Sequence, residues 1–264
     1  ASDGAGVKLK RSIGVEPNYF DPFLMLDEFG SENKDDYIAG FPPHPHRGIE
    51  TVTYMLAGDF EHKDSTGGQG KMTAGDVQWM KTGSGIIHSE MPAMKEGKLH
   101  GFQLWVNMPA KLKMSKPEYL YINANKIAVH KDVGKSVKVI AGKYEQAEGP
   151  IKGHNVEPIY FDVELKKSKE FNFNLPSTHN SLIYLIDGEI KIGNKTHDKV
   201  NGATLFILAN GEILNIKGVT NSKFLLISGK PIGEPIARGG PFVMNTKEEI
   251  LKAVQDYHNG TFVK

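Results

Sequence analysis

Apolar residues in this chain come in short runs that alternate with polar ones, cut at near-regular intervals by glycine-bearing turns. The runs are Glu50–Leu56, Val77–Met80, Gly101–Asn107, Ile159–Leu165, Ser181–Ile186, Thr204–Leu208 and Phe224–Ile227. Between them lie turn signals such as Ala57-Gly58-Asp59, Ser65-Thr66-Gly67-Gly68, Gly75-Asp76, Asp187-Gly188, Gly193-Asn194 and Asn210-Gly211. Short strands at even spacing predict an all-β sandwich or barrel. Only the end reads as helical: Thr246 and Glu249 form a capping box, and Ile250, Val254 and Tyr257 follow at helical spacing.

The pattern occurs twice. A strand running to Ala57-Gly58-Asp59, then Gly75-Asp76 opening another, is echoed by Asn180–Ile186 running to Asp187-Gly188, then Gly202-Ala203 opening Thr204–Leu208. This weak repeat predicts two related β domains, residues 1–120 and 121–264, the second carrying the terminal helix. Lys111–Tyr119 would join them, with Lys111, Lys113 and Lys116 on a solvated face.

One stretch breaks the bland pattern. In Phe41-Pro42-Pro43-His44-Pro45-His46-Arg47, two histidines stand two apart, and His88-Ser89-Glu90 answers them downstream. Residues two apart on a strand point to the same face, ~7 Å apart along the backbone. Two strands uniting these pairs would aim three imidazoles and a carboxylate at one point. Such a nitrogen and oxygen set suits iron, manganese, nickel, copper or zinc better than calcium or magnesium. The prolines stiffen the approach to the histidines. His179 has no such partner, so the second domain reads as a metal-free copy. His62 and His100 read as exposed or hydrogen-bonded, and His130, His154, His197 and His258 as surface residues. Trp79 and Trp105 read as core, with an aromatic ligand able to stack on one of them.

Composition narrows the function. The 264 residues are 39% hydrophobic with a net charge of +1, giving no basic stripe for nucleic acid and no electrostatic attraction to a membrane. No cysteine is present, which excludes disulfides, thiolate catalysis and cysteine-ligated metals. Residues 1–6 lack the apolar core of a signal peptide, and no apolar run nears the ~18 residues of a membrane span. The cytoplasm is the expected location, or the nucleus as well in a eukaryote. The missing initiator Met is expected to reflect a trimmed start.

The stretch Gly40-(x)3-His44-x-His46-(x)3-Glu50-(x)7-Gly58 resembles the first cupin motif, and Gly75-(x)12-His88 a stretched second one. More closely, Asp27-Glu28-Phe29, Pro43-His44-Pro45-His46-Arg47-Gly48, Gly85-Ile86-Ile87-His88-Ser89-Glu90-Met91-Pro92, Gln103-Leu104-Trp105-Val106-Asn107 and Gly240-Pro241-Phe242 resemble the pirin family. That resemblance implies a bicupin: two double-stranded β-helix (jelly-roll) barrels, an N-terminal one binding a single divalent metal and a metal-free C-terminal one. It implies His44, His46, His88 and Glu90 as ligands, and Fe(II) as the ion, with Ni, Mn, Cu, Co and Zn as alternatives. Glu50, at the usual cupin carboxylate position, is expected beside the ligands, as an alternative ligand, or as a strand residue held in an interior hydrogen bond. Phe41, Arg47 and Gln103 are pocket candidates, Arg47 either orienting an anion or pairing with an acid.

The resemblance also implies quercetin 2,3-dioxygenase activity: a flavonol binds through its 3-hydroxyl, Glu90 takes that proton, O2 opens the heterocycle and CO leaves. The expected partners are a flavonol and O2, without nucleic acid or membrane. The competing reading is a metal-dependent regulatory protein that binds a transcription factor or metabolic enzyme, the metal acting as a redox switch. A third is a cupin isomerase or an unrelated oxygenase.

Overall fold

The computed structural model describes residues 1–14, 19–198, 204–209, 211 and 213–264. The expected turn at Gly202-Ala203, Asn210 of the Asn210-Gly211 turn and the side chain of His197 lie outside the described residues. The chain is mostly strand with one α-helix, Lys247–His258, and forms two compact units. No helix among the described residues is long and apolar enough to cross a membrane.

The first unit comprises Ala1–Ala124 and Ile232–Lys264. Its seven-stranded sheet runs Ser2–Asp3, Val7–Ile13, Phe23–Ser31, Leu99–Asn107, Ile49–Ala57, Val77–Lys81, Glu118–Ile122. Facing it is a four-stranded sheet, Phe41–His46, Ile86–Pro92, Phe60–Asp64, Gln69–Met72. Val7, Phe29, Met55 and Leu99 of the larger sheet pack on Phe60 and Met72 of the smaller. The second unit, Asn125–Pro231, repeats the plan with six- and four-stranded sheets. This is the double barrel of a bicupin.

The predicted strands and helix form, with ends shifted by up to two residues: Glu50–Leu56 becomes Ile49–Ala57, Phe224–Ile227 becomes Ser222–Gly229, and Thr204–Leu208 shortens to Thr204–Ile207. The domain boundary differs. The chain leaves the first unit at Ala124 rather than 120, and residues 232–264, helix included, belong to the first unit rather than the second.

Two long-range anchors explain that return. Arg47 is buried; its Nε donates to the Ser84 carbonyl at 2.6 Å, its Nη1 to Asp256 Oδ2 at 2.8 Å, and its guanidinium lies 4.6 Å above the Phe262 ring. Lys113, expected on a solvated face, is buried instead, and its ammonium donates to Gly48 O, Asn107 Oδ1 and Val243 O at 2.7–2.8 Å. Gly48 makes the approach possible. Its φ is +81°, and a Cβ there would sit 2.1 Å from Val243 O. Both halves of the capping box form at Thr246 and Glu249.

Candidate metal centre

The strand Phe41–His46 lies antiparallel to Ile86–Pro92, with His44 directly opposite His88. Pro42 and Pro43 cannot donate to the ladder, and the register shifts between Phe41 and His44. The next strand pairs His62 with Glu90 and Asp64 with His88. Two-residue alternation then turns His44, His46, His62, His88 and Glu90 into the barrel.

Three of these imidazoles converge. Ring centroids of His44, His46 and His88 are 4.4–5.0 Å apart, and each ring offers a nitrogen within 4.8 Å of the others'. Glu90 falls into a second such group, with His88 and His62. Its Oε1 lies 3.3 Å from Gln78 Nε2 and 2.9 Å from the Thr53 hydroxyl, which is also 2.6 Å from Gln103 Oε1. One hydroxyl proton cannot serve two acceptors. Turning the Gln103 amide to donate lets Thr53 donate to Glu90 Oε1. The bonds to Glu90 fall on Oε1 and leave Oε2 for the centre.

His46 and His88 are in the state a divalent first-row ion requires. Burial first, and then His44, pushes His46 down to about 3. Burial likewise holds His88 well below its ordinary value, with His46 and His44 adding to the effect. Neutral imidazole is the ligating form. His44 Nδ1 lies 2.8 Å from Pro42 O and His46 Nδ1 3.4 Å from Pro241 O, which leaves Nε2 of each for a ligand. His88 Nε2 is buried with no hydrogen-bond partner among the described residues. Such an orphan nitrogen beside two other imidazoles fits a metal.

His44, His46 and Glu90 form part of the wall of a cavity of about 700 Å³ within the first unit. Phe41, Phe60 and Trp105 line it, with Thr53, Glu90 and Gln103 among the polar contributors. Trp105 meets His46 edge-on at 5.2 Å.

Of the pocket candidates, Phe41 and Gln103 line this cavity and Arg47 does not: its guanidinium is taken by Ser84 and Asp256. Glu50 also lies apart from both ligand groups. The turn at Gly48 carries the chain from the small sheet to the large one, so parity with His46 is lost, and Glu50 Oε2 accepts from Trp79 Nε1 at 2.6 Å. Trp79 is core as expected. His100 bonds Glu28 Oε1 at 2.8 Å. His62 bonds Asp64, yet it is buried against His88 rather than remote from the site. The sequence reading passed over its partner Asp64 and over Tyr119, which stacks on the His62 ring at 4.3 Å. The two-residue spacing of His62 and Asp64, followed by Gly67-Gly68, is the signal that would have found the pair.

Comparison with known proteins agrees with the fold. Residues 6–106 match the family model for pirin, and residues 160–263 match that for the pirin C-terminal cupin domain. The chain is 46% identical over 264 residues to a pirin-like protein of Caulobacter vibrioides, covering 99% of this chain and 95% of that one. To pirin of Homo sapiens it is 39% identical, covering 98% and 89%. A crystal structure of quercetin 2,3-dioxygenase from Acinetobacter baumannii superposes with a TM-score of 0.89 at 32% identity, covering 98% of this chain and 93% of that one. The chain belongs to the pirin family.

Proposed function

We propose that this protein is a metal-dependent dioxygenase that opens the heterocycle of flavonols such as quercetin. His44, His46, His88 and Glu90 would hold the metal, and Fe(II) is the ion proposed. The observation that carries this reading is the cluster of three imidazoles, two of which line an aromatic-walled cavity of about 700 Å³. The likeness to an Acinetobacter baumannii protein named quercetin 2,3-dioxygenase supports it. An ion held by four protein ligands would keep room beside it for a substrate hydroxyl.

When bound, the ion would lower the pKa of a coordinated hydroxyl and couple electrons from the substrate to O2. The chain's own groups do the rest. Phe41 and Trp105 offer apolar faces that would grip a flat polyphenol and exclude water. Glu90 would take the 3-hydroxyl proton on Oε2, while Thr53 and Gln78 fix the carboxylate through Oε1. The deprotonated flavonol then reacts with O2. Both oxygen atoms enter the product, one ring carbon leaves as CO, and the heterocycle opens.

The test is anaerobic loading with Fe(II), followed by quercetin and O2. The expected result is O2 uptake matched by CO release. Metal binding with uptake at the level of buffer would overturn the enzymatic reading in favour of a regulatory one.

A further inference from the structure

The three imidazoles of the centre are not held alike. The neighbours of His44 and His46 Nδ1 are main-chain carbonyls, which can only accept. Those rings therefore carry their proton on Nδ1 and keep Nε2 bare. His88 turns its Nδ1 toward another imidazole nitrogen, His62 Nδ1 at 3.5 Å, which can donate or accept according to its own tautomer. The state of His88 is thus decided one residue further out.

His62 Nε2 lies 2.7 Å from Asp64 Oδ2, and the two side chains are only 1% and 0% exposed. A carboxylate can only accept, so His62 carries a proton on Nε2, and the ring in its neutral form presents a bare Nδ1. His88 must then donate from Nδ1, which leaves Nε2 as a lone pair. That is the nitrogen left buried without a partner. Free histidine in water prefers the opposite tautomer, with its proton on Nε2, so the arrangement has work to do.

The outer end is fixed in turn. Asp64 Oδ1 accepts from Thr66 N at 2.8 Å, Thr66 Oγ1 at 2.6 Å and Gly68 N at 3.0 Å. A Cβ at Gly68 would lie 2.2 Å from Asp64 Oδ2, so only glycine closes this cradle. Tyr119, stacked within 5° of parallel, stops the His62 ring from swinging away.

We propose that Asp64 and His62 are positioning residues that set the tautomer of His88 and so ready its Nε2 for metal. This deepens the metal-centre reading and rests on it. The Asp64→Asn variant is the sharp probe. Three donors hold the Oδ1 position, so the Asn oxygen stays there and its NH2 takes the place of Oδ2. It then donates to His62 Nε2, His62 carries its proton on Nδ1, and the proton of His88 is driven to Nε2.

Imidazole 15N NMR of the metal-free protein reads the tautomers directly, and Co(II) titration reads affinity without turnover. The expected wild-type result is a protonated Nδ1 and a bare Nε2 on His88. In Asp64→Asn the proton should move to Nε2 and Co(II) affinity should fall about 10–100-fold. A bare Nδ1 in the wild type overturns the proposal, as does a folded Asp64→Asn with unchanged tautomer and affinity. A purely structural Asp64 would lower stability and leave the tautomer alone. If Asp64→Asn fails to fold, the wild-type spectrum and His62→Phe decide; His62→Phe keeps the stack on Tyr119 but removes the acceptor and should weaken Co(II) similarly. Wild-type protein that takes up no Co(II) would sink the metal-centre reading itself, whereas uptake with the wrong tautomer sinks only the relay.

Discussion

The two barrels share one plan and use their interiors oppositely. In the first, the strand pair Phe41–His46 and Ile86–Pro92 turns His44, His46 and His88 inward around a cavity. In the second, the corresponding pair, Glu170–Asn174 and Ile213–Gly218, sets Phe171 opposite Ile216 and Phe173 opposite Leu214. These join Phe161, Phe224 and Leu226 in a single continuous core. In the first barrel, Phe29, Met55, Phe60 and Met72 pack as a smaller cluster beside the cavity, which Phe29 and Phe60 also line. Identical strand pairing can therefore frame either a site or a packed core, and the inward side chains on two strands decide which.

The largest predicted effect is on the hollow barrel. His88→Ala should reduce bound metal from about one ion per chain to near none and abolish turnover, as read by elemental analysis and O2 uptake. Glu90→Gln should separate binding from chemistry: most of the metal stays, while turnover falls by about 10²–10⁴-fold. Full activity in that variant would contradict the proton-accepting role.

The filled barrel should respond in the other currency. Phe171 is fully buried, so Phe171→Ala should cost about 3–5 kcal/mol in denaturant unfolding and leave metal affinity unchanged. Lost metal binding in a folded variant would show that the barrels are not energetically separate.

The smallest effect concerns the returning C-terminal segment. Asp256→Asn should destabilise by about 1–3 kcal/mol, because buried Arg47 loses its charged partner. Hydrogen bonding from Arg47 holds the Asp256 carboxyl below its ordinary value, with Lys252 helping. A depressed carboxyl stabilises the fold above its unfolded value near 4 and loses that contribution as pH falls through the folded value. The gap between wild type and variant should accordingly be full at pH 7 and shrink below about pH 4 in paired unfolding curves.

Local rules made much of this legible. Alternation and glycine turns marked the strands, the capping box marked the helix, and two-residue spacing singled out His44, His46, His88 and Glu90. That rule also applied to His62 and Asp64, but a lone histidine on a strand carries no sign of what stands across from it. Glu50 stayed open between a place beside the ligands and an interior hydrogen bond because parity survives only within one strand, and the turn at Gly48 decides for the bond to Trp79. Lys113 looked solvated because its acceptors include Val243, 130 residues away. Arg47 is tied to Asp256 across 209 residues, a contact that no local pattern announces.

The central claim is that the hollow barrel holds one ion by the side chains that break its apolar core. Anomalous diffraction from Fe(II)-loaded crystals tests it most directly. The account predicts one peak in the first barrel, about 2.0–2.3 Å from Nε2 of His44, His46 and His88 and from a Glu90 oxygen. No peak in that barrel, or one held by His62 without His44 and His46, would contradict it.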